Sequence, residues 1–229
     1  MIRARLRVLS VTLPAVVLIV GGAGCGGGMQ YTVDDGALDQ IPAGERQAVF
    51  DARREVELAQ GERRTAEVQL EALERDADIA DKERAQAELE VEKSAAEMQG
   101  ASASKDMNRM NTAGRNKEIA SMGVKVAEAK IDFLEEKEEW LEQSREAALL
   151  HVQAANAKVE LEKARVAQQK GIKPSDDFNL GRFESQWKDK NSDFESARKD
   201  AASLEKDAKE MEQKWQNLST QYAQMRGGR

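Results

Sequence analysis

The chain has 229 residues, of which 34% are charged and 4% aromatic, with three prolines, one cysteine and one histidine. So little aromatic material and so few loop formers exclude an ordinary globular enzyme core and an all-β fold, which leaves helix as the class. The formal charge of −7 becomes −10 once Arg3, Arg5 and Arg7 are set aside, an acidic balance that excludes nucleic-acid binding dominated by phosphate contacts.

Arg3, Arg5 and Arg7 form a basic start, and Val8 to Val20 an apolar run broken only by Ser10, Thr12 and Pro14. Gly21-Gly22-Ala23-Gly24 then supplies small residues, so residues 1–24 read as a secretory signal peptide. The run is short for a membrane span, which wants about 20 apolar residues without a proline inside. Cys25 follows directly, and as the only cysteine it excludes an intrachain disulfide. An apolar run, Ala23-Gly24 and then Cys25 resemble the lipobox of bacterial lipoproteins, although Gly22 stands where that family commonly has an aliphatic residue. The resemblance implies cleavage before Cys25, a diacylglycerol on its sulfur and often an acyl group on its new amino terminus. Gly26, in place of an aspartate, implies an outer-membrane anchor facing the periplasm if the organism is Gram-negative.

Residues 25–41 read as the lipidated cysteine and a flexible linker: Gly26-Gly27-Gly28 is a leash, and Tyr31-Thr32-Val33 has no helical period. Pro42 suits the first turn of a helix. From Val49 a seven-residue pattern runs through Val56, Leu70, Ala77, Val91 and Met98 at a, with Ala52, Ala59, Ala66, Leu73, Ala80, Ala87 and Ala101 at d. Gly100, Ser102, Ser104, Asn108, Asn111 and Gly114 predict a turn near 100–114. The heptad then resumes, with Val124, Ile131, Val152, Val159 and Val166 at a and Ala113, Ala120, Ala127, Leu134, Leu141, Ala148 and Ala155 at d. Glu138 and Arg145 make its middle polar.

Charge predicts how these two helices pair. The first carries Glu55, Glu62, Asp76, Glu83 and Glu90 at g, while the second carries Lys130, Lys137, Lys158 and Arg165. Parallel self-pairing would repel, whereas an antiparallel fold sets g against g. Residues 42–171 are therefore expected to form an antiparallel coiled-coil hairpin, with Glu83 near Lys130 or Lys137 and Glu55 near Lys158 or Arg165. The two registers differ by one heptad and stay open at this point.

Gly171 and Pro174 end the second helix, and Ser175 before Asp176 and Asp177 signals the start of a third. Residues 172–229 are expected to hold this third coiled-coil helix. Its stripe runs Leu180, Phe183, Trp187, Phe194, Ala197, Ala201, Leu204, Ala208, Met211, Trp215, Leu218, Tyr222 and Met225, broken only by Lys190. At strict heptad spacing these large side chains are expected as core, complementing the alanine seam of the first helix in an elongated, all-α three-helix bundle.

The sequence offers no catalytic residue, no cofactor site and no metal site. His151 has no second histidine or cysteine to join it in a metal site and is expected on a solvated helix surface. Asp76, Asp78 and Asp81 lie in a continuous heptad without the glycine of a calcium loop. The function expected is non-enzymatic: a membrane-tethered strut or adaptor in a cell-envelope assembly. Its partners would be the membrane through the lipid on Cys25, envelope proteins through the coiled-coil surfaces, and possible further copies of the chain. A periplasmic holdase, or the hairpin of an efflux-type periplasmic adaptor, are the alternatives. The acidic hairpin is unlike the basic arms of the first, and the β-rich flanking domains of the second have no counterpart.

Overall fold

A computed structural model describes residues 29–39 and 41–227 of the chain. Cys25 and the whole signal segment lie outside the described residues. Three long helices follow one another: α1 (Gln47–Ser104), α2 (Met107–Gln169) and α3 (Leu180–Gly227). There are no strands among the described residues. At 1.5 Å per residue the 58 residues of α1 span about 87 Å. Alanine, glutamate, arginine and glutamine dominate α1, and no proline interrupts it.

The turn between α1 and α2 is shorter than the expected 100–114 segment. Lys105 takes a left-handed φ of 56° and ends α1. Asp106 then caps α2, its Oδ1 accepting the N–H groups of Asn108 and Arg109 at 3.0 and 3.1 Å. The serines and glycines around this turn are helical, with Ser102 and Ser104 hydroxyls donating to the carbonyls of Met98 and Ala101. Gly171, at φ 70°, closes α2, with its own N–H donating to Gln168 and that of Ile172 to Ala167. The third helix starts four residues later than a cap at Ser175 predicts. Ser175 donates to Asp177 instead, and Asn179 caps, its Oδ1 accepting the Gly181 N–H at 2.9 Å.

α1 and α2 pack as an antiparallel hairpin in a single register. Lys130 donates to Glu83 at 2.6 Å, Lys158 to Glu55 at 2.6 Å, and His151 Nδ1 lies 2.7 Å from Glu62. The seam beneath is built of d positions, Ala52, Ala59, Ala66, Leu73 and Ala80 being buried on α1 and Ala127, Leu134, Leu141, Ala148 and Ala155 on α2. Alanine permits close approach of the two helices but buries little area, so α1 alone cannot anchor a bundle. With Cys25 replaced by serine, Glu83→Cys should therefore form an intrachain disulfide with Lys130→Cys under mild oxidation, whereas the Lys137→Cys pairing should not. Non-reducing electrophoresis reads the difference.

The third helix departs from the expectation that it packs on the alanine seam of α1. α3 lies along α2, and no Cα of α1 comes within 8 Å of one in α3. The reason is a second stripe on α2: Ile119, Val126, Phe133, Trp140, Ala147, Ala154 and Leu161 recur every seventh residue. Five of these seven are buried, Val126 and Trp140 partly so. Phe133 stacks on Trp215 at 5.7 Å and 5°, and Tyr222 lies over Gly123, where an added Cβ would meet its hydroxyl at 3.4 Å. α2 is thus the spine, with α1 on one seam and α3 on the other.

Candidate functional site

The tether end of the rod is where the chain nearest Cys25 meets the bundle. Residues 29–41, expected as linker, carry Val33, Leu38 and Ile41, each buried at 2–3% exposure. Leu38 and Ile41 join Val49, Ala52, Val159, Val166 and Ala167 in one cluster, and Val33 joins Leu161, Ala164 and Phe183 in another. Asp34 caps a short 3-10 turn over Asp35–Leu38, its carboxylate accepting the Gly36 N–H at 3.0 Å. A second such turn, Ala43–Arg46 after Pro42, runs into α1. The segment has no heptad period because it crosses the helices rather than running along them.

Polar groups fix the strap at two places. Gln186 on α3 accepts the N–H groups of Gln30 and Tyr31 at 2.8 and 2.9 Å and returns a hydrogen bond to the Tyr31 carbonyl at 3.1 Å. Tyr31 also packs on Phe183, and Arg182 lies over its ring. On α2, Glu160 accepts the Val33 N–H at 2.7 Å while Lys163 reaches Asp35 at 2.7 Å, Glu160 at 2.9 Å and the Val33 carbonyl at 3.3 Å. Arg53 of α1 reaches the same Asp35 Oδ1 at 2.9 Å. The strap is thereby joined to all three helices.

The titration of this cluster follows from its contacts. Burial opposes the charge on Lys163, yet its hydrogen bonds to Asp35 and Glu160 outweigh that and raise its pKa above the ordinary lysine value. The Lys163 hydrogen bond is the largest influence on Asp35. With the charges of Lys163 and Arg53 it lowers the Asp35 carboxyl below its ordinary value, against a smaller opposing effect of burial. Lys163 is the one buried cation among the described residues. Its sequence signal was weak, since it falls at an e position where a solvated lysine is the ordinary expectation.

His151 is the other correction. Its side chain is only 17% exposed and its ring stacks on Phe194 of α3 at 4.3 Å, so it bridges the hairpin to α3 rather than sitting in solvent. Asp76, Asp78 and Asp81 lie on exposed turns of α1. No group of His, Cys, Asp and Glu side chains suited to a metal ion occurs among the described residues, and no described helix is long and apolar enough to cross a membrane. Cys25 lies outside the described residues, four positions before Met29, whose sulfur accepts from the Gln186 amide at 3.3 Å.

In comparisons with known proteins, no protein-family model, no curated protein and no solved structure matches this chain.

Proposed function

We propose that this protein is a bacterial lipoprotein whose helical rod serves as a non-enzymatic strut or adaptor in a cell-envelope assembly. The observation that carries the reading is the strap. A rod that only had to float on a leash would not need its first described residues bonded to Gln186, Glu160 and Lys163. A rod that transmits position from a lipid to a distant partner does need them. From Cys25 to Met29 the chain can span at most about 14 Å, so a lipid on Cys25 would hold the base of the bundle close to the membrane surface. The turn at Lys105–Asp106 would then present the far end of α1, about 87 Å away along its axis.

Lipid attachment supplies the anchor energy. At about 0.8 kcal/mol per buried methylene, two or three acyl chains hold a protein at a membrane essentially permanently. The outer membrane, with the rod facing the periplasm, is the site that Gly26 favours under the lipoprotein resemblance. The holdase alternative receives less support, because the large side chains it would offer to an unfolded client are engaged internally, Trp215 with Phe133 and Phe194 with His151.

Cys25→Ser is the deciding variant. It is expected to move the protein from the membrane to the soluble fraction and to abolish labelling by an alkynyl fatty acid. Unchanged sedimentation with membranes in that variant would overturn the anchor.

A further inference from the structure

The two edges of the α1–α2 hairpin are built differently, and the difference marks a docking surface. On the edge nearest α3, acid meets base: Glu55 with Lys158, Glu83 with Lys130, Glu62 with His151. On the other edge Glu74 and Asp81 of α1 meet Glu135 and Glu142 of α2 across one groove. These four, with Asp78 and Glu138, rim a groove of about 550 Å³ in which Arg145 is the one cation. None of the six carboxylates takes part in an ion pair among the described residues.

Beneath the rim the groove is apolar. Leu70, Ala77 and Ile131 are only partly buried, and Leu73 and Leu134 close the floor behind them. The cause is at the seam itself, where Glu138 and Arg145 occupy a positions and leave the hydrophobic layer open on this side. α3 covers the opposite edge and does not reach here. An apolar floor between two facing acidic rows leaves the hairpin with like-charge repulsion that Arg145 alone offsets only in part among the described residues.

We infer that this groove docks a cationic amphipathic helix from a partner protein, its apolar stripe lying on Leu70, Ala77 and Ile131 and its lysines or arginines between the two carboxylate rows. The charge selects the occupant. A second copy would bring the same acidic rim against itself, and an acidic helix would meet repulsion on both sides. The inference deepens the adaptor reading by naming the surface and the chemistry of its partner, and it needs no lipid on Cys25, so the two fail separately.

The test uses the purified full chain and a synthetic amphipathic helix of 21 residues with leucine at a and d and lysine at e and g. Fluorescence anisotropy should show saturable one-to-one binding that weakens with salt. Neutralising the groove with Glu74→Gln, Asp81→Asn, Glu135→Gln and Glu142→Gln should weaken it at least tenfold and raise the melting temperature, because the same substitutions relieve the repulsion. Neutralising four exposed carboxylates elsewhere, with Glu57→Gln, Glu92→Gln, Asp200→Asn and Glu210→Gln, should change the affinity less than threefold. Absence of binding, equal loss in the two variants, or equal binding of a peptide with glutamate at e and g would overturn the inference. So would self-association of the chain that disappears in the groove variant, which would make a second copy the occupant.

Discussion

Lys163→Ala should lower the stability of the bundle by about 3 kcal/mol and free the strap before the helices melt. Removing the ammonium leaves Glu160 and the Val33 carbonyl facing a site from which water is largely excluded, and losing one partner of a buried pair costs more than the pair contributes. The figure sits at the low end for such changes because Asp35, at 64% side-chain exposure, can turn to solvent and to Arg53. Urea melts followed by circular dichroism give the loss. Limited proteolysis gives its location, since cleavage between Met29 and Ile41 should speed up while α2 stays protected. An equal gain in cleavage throughout α1 would show that the strap and the hairpin open together.

The same cluster sets a pH dependence whose sign is fixed. Asp35 titrates below its ordinary 3.8 in the folded chain, so its contribution is present above that value and is lost as the pH falls through the depressed one. Lys163 titrates above its ordinary 10.5, so its contribution is complete below that value and is lost as the pH rises through the elevated one. Strap protection measured by hydrogen exchange should therefore be level across neutral pH and fall in strong acid and strong alkali. In Lys163→Ala both flanks should flatten.

The antiparallel hairpin was legible because its signals are local and periodic. The d rows specify the seam, and the g rows specify direction; Glu83 with Lys130 needed only a choice between two registers, which a difference of one heptad could not decide from charge alone. The strap was not legible, because Val33, Leu38 and Ile41 are spaced irregularly among Gly, Asp and Gln. Apolar residues that cross several helices leave no period to read. The turn was placed within its segment but not at its residues, since the capping by Asp106 outweighed the more numerous glycines and serines around it. His151 shows a further limit: its burial depends on Phe194 arriving from α3, whose place along α2 the heptad of α3 does not specify.

The place of α3 along α2 has a sequence signal of its own, and that signal yields the strongest test of the architecture. The spine helix carries apolar residues at d and again at c, so its apolar arc is too wide for one neighbour; α1 and α3, with one stripe each, can only be neighbours of α2. Phe133 sits in the middle of the c stripe at 9% exposure, stacked on Trp215 and clustered with Leu73, Leu134 and Leu141. Phe133→Ala should cost about 3 to 5 kcal/mol, the range for truncating a buried aromatic where the surroundings cannot collapse. Because no Cα of α3 comes within 8 Å of one in α1, the loss should not spread evenly. Amides of α3 from Ala201 to Met225 should exchange faster by several orders of magnitude, while α1 and the hairpin face of α2 keep most of their protection. Trp215 emission should shift to the red and become open to quencher. A closed bundle with α3 wedged against the alanine seam would instead lose protection in α1 and α3 together, so the ratio of exchange in the two helices decides between a spine with two neighbours and a closed three-helix core.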